Sequence, residues 1–158
     1  MGKTILIIGT FDTKAEEFAF LRQRVLGRGF PVLLMNIGVL GTTDKFKVDI
    51  EADLVAQAGG SDIETLRKHN DRGEAMKVMA AGAPLLVRQY FDARKCDGII
   101  GMGGTGGTSI ITAAMRALPI GVPKVCVSTT AGGDVSQFVG TSDIVMFPSI
   151  VRPPVPTA

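Results

Sequence analysis

Five glycines fall within seven residues of this chain, in the run Gly101-Met102-Gly103-Gly104-Thr105-Gly106-Gly107, with Thr108 and Ser109 directly after. The apolar residues before the run and the helical pattern after it predict a strand, a glycine loop over Gly103–Thr108, and a helix. Bare backbone lets an anion come close to the peptide N–H groups, and a helix N-terminus adds a favourable dipole. Thr105, Thr108 and Ser109 add hydroxyls. The guest such a loop suits is a phosphate or a carboxylate. A strand-to-helix turn without a ligand would need fewer glycines.

Two specific motifs can be tested on this loop. Gly101, Gly103 and Gly106 match the G-x-G-x-x-G spacing of dinucleotide sites, which expects an acidic residue at the end of the next strand. That strand should end at Ser128, and the first acid beyond it is Asp134, too late in the chain. NAD is therefore disfavoured. Gly2-Lys3-Thr4 has the tail of a phosphate-loop motif, but it lacks the upstream glycine and precedes a strand, not a helix.

Three further polar segments follow or precede apolar runs. Gly9-Thr10-Phe11-Asp12-Thr13-Lys14 sits between a strand and a helix. Thr10 and Thr13 could bond phosphate, Lys14 could neutralise it, and Asp12 could hold a ribose hydroxyl or a metal-bound water. The competing reading is a plain helix cap by Asp12 or Thr13. Ser128-Thr129-Thr130 opens a polar loop after the next predicted strand, and Thr141-Ser142-Asp143 precedes the last one. Both could equally be turns with local hydroxyl caps.

Other chemistries are poorly supplied. His69 is the only histidine and lies among Lys68, Asn70 and Asp71, so a solvated side chain is expected. One histidine and two widely spaced cysteines argue against a His/Cys metal site or a Ser-His-Asp triad. Cys126 reads as inert core, and Cys96 as a partly exposed residue at a helix end. The charge sum of +2 gives no reason to expect nucleic-acid binding. No signal-peptide pattern or membrane span is evident, so a cytoplasmic protein with reduced thiols is the default.

The elements that must position these segments alternate. Strands are expected over Thr4–Gly9, Pro31–Asn36, Gly98–Met102, Lys124–Ser128 and Ile144–Phe147. Helices are expected over Ala15–Leu26, Ile50–Ala58 capped by Asp49, Asp62–His69 with a Ser61/Glu64 capping box, a long stretch from Asp71 that Pro84 should kink or split, and Ser109–Ala117. Met76 and Met79 in the long stretch read as core. The polar insert between Ile37 and Asn70 lies where a binding lid could sit. Alternation of this kind gives a three-layer α/β/α Rossmann-like domain with a mainly parallel sheet, over residues 1–150. Residues 151–158 read as a proline-rich tail or the start of a linker. Ligands of such sheets bind at the carboxyl ends of the strands. That edge would gather the Thr10–Lys14, Gly103–Thr108 and Thr129–Gly133 loops, with Gly38–Thr43 as a fourth.

Several motifs occur together and in order: Gly9-Thr10-Phe11-Asp12-Thr13-Lys14, Asp71-Arg72-Gly73, Gly103-Gly104-Thr105-Gly106-Gly107-Thr108, Leu118-Pro119, Ser128-Thr129 and Gly140-Thr141-Ser142-Asp143. In these the chain resembles the UPF0261 family of Tm-1-like ATP-binding proteins, from Thr4 to about Val151. The resemblance implies an ATP-binding, Mg2+-assisted domain that tends to form a homodimer. It also implies a second UPF0261 subdomain, and a TIM-barrel-like partner similar to phosphoenolpyruvate hydrolases. The nucleotide site it implies would draw on Gly9 to Lys14, Gly103 to Thr108, Ser128, Thr129, Thr130, Thr141, Ser142 and Asp143. The family's usual Val-Ala-Ser-Gly after Ser128-Thr129 is here Thr130-Ala131-Gly132-Gly133, which loses one hydroxyl. The expectation is nucleotide binding with weak or no hydrolysis. Two alternatives stay open: a subunit of an enzyme acting on a phosphorylated or carboxylated metabolite, and an interaction or inhibitor module with a structural nucleotide.

Overall fold

The computed structural model describes residues 2–149; the expected tail over 151–158 lies outside them. The described residues form five strands and six helices: β1 (Ile5–Gly9), α1 (Ala15–Gly27), β2 (Val32–Asn36), α2 (Ala52–Ala58), α3 (Ile63–His69), α4 (Arg72–Asp92), β3 (Gly98–Gly103), α5 (Thr105–Arg116), β4 (Lys124–Ser128), α6 (Ser136–Val139) and β5 (Val145–Pro148). The strands make one sheet in the order β2-β1-β3-β4-β5, and every pair is parallel. The strand order reverses direction between β1 and β3.

The side chains divide by parity into two cores. Leu6 and Ile8 of β1, Met35 of β2, Ile99 of β3 and Cys126 of β4 pack with α2, α4 and α5 in the larger core. Ile7 of β1 and Leu34 of β2 face the other way, with Phe11, Phe18 of α1 and Phe46 in the smaller one. The result is a three-layer α/β domain, with α1 on one face and α2, α4 and α5 on the other.

Two close approaches set the helix spacing. A Cβ on Gly82 of α4 would meet the Val55 carbonyl oxygen of α2 at 1.9 Å, and one on Gly59 would meet the Val78 carbonyl oxygen at 2.1 Å. On the α1 face, a Cβ on Gly9 would meet the Phe18 ring at 1.8 Å. At the amino edge of the sheet Lys124 is buried, and its ammonium donates to the carbonyls of Pro119 (2.7 Å) and Val122 (2.8 Å) and to Asp143 Oδ1 (2.6 Å). Asp143 Oδ2 accepts from the Gly121 N–H at 2.8 Å.

Several expectations need correction. α5 begins at Thr105, not Ser109: Gly104 is its extended N-cap, and the Thr108 N–H already bonds the Gly104 carbonyl at 2.9 Å. A helical glycine costs about 1 kcal/mol against alanine. Burial of Thr108, Ile110, Ile111, Ala114 and Met115 offsets that. α4 runs unbroken through Pro84, because Met79, Ala83 and Val87 anchor it on both sides of the proline. Asp49 does not cap α2; its carboxylate accepts from the Leu34 N–H at 2.8 Å, and Glu51 holds the cap position. Asp62, not Ser61, caps α3, accepting from the Thr65 N–H at 2.9 Å. The loop before β5 contains the short helix α6. Pro148 closes edge strand β5, expected to end at Phe147, at a place where its missing N–H removes no ladder bond. Cys96 is buried, and burial together with Asp97 pushes its thiol up to about 11.

Two measurements test this packing. Gly82→Ala on an open helix would stabilise by about 0.5–1 kcal/mol. Here the clash with backbone reverses the sign, to a loss of about 1–3 kcal/mol, read as a lowered urea midpoint; an unchanged midpoint would mean that α2 and α4 can part. The second concerns pH. The Lys124 bond and the Gly121 N–H hold the Asp143 carboxyl below its ordinary value. A folded value below the unfolded one gives stability that is complete above the unfolded pKa and lost as pH falls through the folded one. Denaturation curves between about pH 5 and pH 2 should therefore show a steeper acid loss in the wild type than in Asp143→Asn. Equal slopes would remove this pair from the acid response.

Candidate functional site

The carboxyl edge of the sheet holds a cavity of about 460 Å3 where β1 and β3 diverge. Such a switch point is where open parallel sheets bind ligands. Its walls come from three segments. Thr10, Asp12 and Thr13 come from the turn after β1; Ile37, Gly38, Val39 and Leu40 from the turn after β2; Gly106, Gly107 and Ile110 from α5. The roof joins the end of the insert expected as a lid, through Leu66 and Arg67 of α3 and Asn70, with Asp71 and the start of α4, through Arg72, Ala75, Met76 and Met79.

The first two walls are joined by one side chain. Asn36 ends β2 and is completely buried. Its Oδ1 accepts from the N–H of Phe11 (3.1 Å) and of Gly38 (2.9 Å). Its Nδ2 donates to the Gly41 carbonyl (2.9 Å) and to Glu51 (3.3 Å). Asp12 then lies against Gly38, where a Cβ would be 2.2 Å from Asp12 Oδ1, and its Oδ2 accepts from the Leu40 N–H at 3.1 Å. Asp12 Oδ1 is buried with no hydrogen-bond partner among the described residues.

The third wall is a helix terminus. The N–H groups of Thr105, Gly106 and Gly107 lie in the first turn of α5, where no intrahelical acceptor exists. The α4 terminus reaches the same cavity. Asp71 caps it, accepting from the Glu74 N–H at 3.1 Å, and Arg72 follows. A Cβ on Gly106 would be 3.4 Å from an Arg72 guanidinium nitrogen and 3.6 Å from the Met76 sulfur. Arg67 is committed elsewhere, to the Val39 carbonyl (2.6 Å) and Glu64 (3.0 Å). Arg72 has no ion pair among the described residues. It carries its charge in the first turn of a helix, where the dipole disfavours a cation. The cavity thus joins two positive helix ends and an uncommitted guanidinium with an apolar wall of Ile37, Met76 and Met79. That is the chemistry of an anion with an apolar neighbour.

The other sequence-predicted residues divide. Phe11 is buried core, edge-on to Phe18 and Phe46 at 5.0 Å each. Gly9 serves the contact with Phe18. Lys14 is exposed at the start of α1, next to the cavity wall but not lining it. Gly103 ends β3, and its carbonyl accepts from Thr129 N–H at 3.2 Å. Thr108 and Ser128 are buried and bonded to each other at 2.6 Å, with Thr130 on Ser128 at 2.8 Å. These hydroxyls pin the start of α5 to the end of β4, beneath the cavity. Thr129 is exposed beside Gly104, 3.8 Å from where its Cβ would be. Thr141, Ser142 and Asp143 are not brought to the cavity. They precede β5 at the amino edge of the sheet, where Asp143 serves Lys124.

Arg72, Met76 and Asn36 were not expected at the site, whereas Gly38 lies in the fourth loop expected there and Arg67 in the insert expected as a lid. Arg72 left one signal: a cation directly after a helix cap, where an acid is favoured. Met76 was read as core, yet it is half-buried against the cavity. His69 is half-exposed, as expected, with Nδ1 2.9 Å from Glu74. Among the described residues no group of three metal-ligating side chains occurs, and no helix is long and apolar enough to cross a membrane.

Comparison with known proteins identifies the family. The model of the family described as "Uncharacterised protein family (UPF0261) N-terminal domain" matches residues 3–152. A UPF0261 protein of Clostridium tetani is 46% identical over 151 residues, 96% of this chain and 37% of that protein. One of Rhizobium meliloti is 43% identical over 148 residues, 94% of this chain and 36% of the relative. The ToMV resistance protein Tm-1(GCR237) of Solanum lycopersicum is 33% identical over 161 residues, 93% of this chain and 21% of the tomato protein. The chain therefore spans little more than a third of these bacterial relatives and about a fifth of the plant one. With nearly its whole length matched by the family's N-terminal domain, the chain belongs to the UPF0261 family.

Proposed function

We propose that the cavity between β1 and β3 binds ATP, with its phosphates at the paired N-termini of α4 and α5. The observation that carries this reading is the Arg72 guanidinium beside Gly106, uncommitted among the described residues and set at the junction of two helix ends. A polyphosphate satisfies both the amides and the cation; a neutral ligand would leave the charge against the helix dipole. The family resemblance supplies the choice of ATP among phosphorylated ligands. The apolar wall of Ile37, Met76 and Met79 suits a base, and Lys14 stands outside the rim as a second cation.

Asp12 fits the remaining roles. Its orphaned Oδ1 can accept from a ribose hydroxyl or from water on a cation. Magnesium in nucleotide sites uses one or two carboxylates together with the phosphates, so one aspartate suffices. When bound, the ion would share the phosphate charge. The cavity offers no histidine or glutamate as a general base, and its two carboxylates are Asp12 and Asp71, the latter engaged as a cap. Turnover is accordingly slow or absent, and the domain acts by binding.

Calorimetric titration with ATP, ADP, AMP and NAD, each with and without Mg2+, tests this. Affinity should fall from ATP to AMP. Arg72→Ala should weaken ATP by about 10- to 100-fold, the range of a lost hydrogen bond to a charged group. Gly106→Val should weaken it too, by filling the approach to the amides. Equal ATP affinity in the wild type and Arg72→Ala would defeat the phosphate placement. ATP binding with no phosphate release over hours would support a binding role over catalysis.

A further inference from the structure

One face of the sheet is only half covered. Parallel sheets are normally buried on both sides. Here α4 and α5 cover one face, while the face carrying α1 is packed over β1 and β2. Across β3, β4 and β5 that same face presents two apolar rows. The register places Ile100, Val125 and Val145 in one, and Met102, Val127 and Phe147 in the next. Ile100 and Met102 touch the rim of the smaller core; the other four side chains belong to neither core among the described residues. Val145 is 56% exposed and Phe147 60%. All six are apolar, and no charged side chain interrupts the two rows.

We propose that this face is the seat of the C-terminal portion of full-length UPF0261 proteins. Three observations fix that occupant. The matched family model describes an N-terminal domain, and the Clostridium tetani relative has most of its length outside the stretch this chain matches. β5 is the edge strand and carries the most exposed pair of the patch. Finally, chirality decides the face. The step from β1 outward to β2 puts α1 on the open side, while the steps from β3 to β4 to β5, in the opposite direction, put α5 and α6 on the other. By the same right-handed rule, a crossover from β5 back to a parallel strand beyond β2 would lie on the open side, over these rows. A strand or helix with an apolar stripe there would complete the missing layer.

Thiol labelling tests the seat. Phe147→Cys in this chain should react quickly, since Cys96 and Cys126 are buried and give little background. A cysteine at the position aligned with Phe147 in the full-length Clostridium tetani relative should react at least about tenfold more slowly, through loss of access. Phe20 of α1, 67% exposed on the outer side of that helix, is the control, and its aligned cysteine should react equally in both proteins. Equal reactivity at the Phe147 position in both proteins would overturn the proposal. So would slow labelling of Phe147→Cys in this chain: if it slows further with concentration, a second copy covers the face; if it does not, the chain covers it itself. Val145→Cys repeats the test should the Phe147 variant be poorly folded.

Discussion

The buried amide of Asn36 is the constraint on which the cavity depends. It stands at the end of β2 and takes N–H groups from Phe11, on the turn after β1, and from Gly38, on its own turn. Its amino group holds the Gly41 carbonyl and Glu51. One side chain thus fixes the relative positions of two walls and the entry to α2. Each hydrogen bond is worth only about 1 kcal/mol net, but a buried N–H left without an acceptor costs about 1–3 kcal/mol. An apolar residue at this position would strand two N–H groups together. The geometry is therefore enforced less by the strength of the bonds than by the cost of leaving them unmade.

Electrostatics acts on the frame so fixed. α4 and α5 pack tightly together, and both begin at the cavity. Their free N–H groups would repel a cation, yet Arg72 is placed between them. Compare the cation at the far edge: Lys124 is buried but has two carbonyls and Asp143 around it. The two sites use the same charge differently. Lys124 closes its own site with acceptors from the chain and holds β4 to the loop before β5. Arg72 has no such acceptor among the described residues, so the balance of its charge must come from solvent or from a ligand.

Much of this was legible in the residues. Strand positions followed from short apolar runs, and β4 was placed to the residue, because its Val-Cys-Val run is apolar on both faces. The glycine cluster and the Thr10–Thr13 turn were correctly set at one edge, since the carboxyl-end rule needs only the strand order. What could not be read was depth. Phe11, Thr108 and Ser128 sit within polar-looking motifs, but their side chains point inward, and sequence spacing does not say which hydroxyl faces solvent. Thr141 to Asp143 looked like the other polar loops; only the strand direction shows that they lie at the opposite edge. Arg72 and Asn36 were hidden for a different reason. Arg72 meets Gly106 and Asn36 meets Phe11 across 34 and 25 residues, distances that no local pattern spans.

The glycine cluster itself shows how a composite signal forms. A Cβ on Gly101 would meet Ile111 Cγ2 at 2.7 Å and the Ile8 carbonyl at 2.9 Å; one on Gly103 would meet the Thr108 nitrogen at 2.9 Å. These two let α5 lie close on the sheet and would be needed in a domain that bound nothing. Gly107 has no neighbour within 4 Å of its virtual Cβ, and Gly106 has only Arg72 and Met76, both at the cavity. Nothing in the packing asks for glycine at either position, and each weakens the helix by about 1 kcal/mol relative to alanine. Their cost is recovered by neither core. The bare first turn leaves its amides open to the cavity, beside a guanidinium with no ion pair among the described residues.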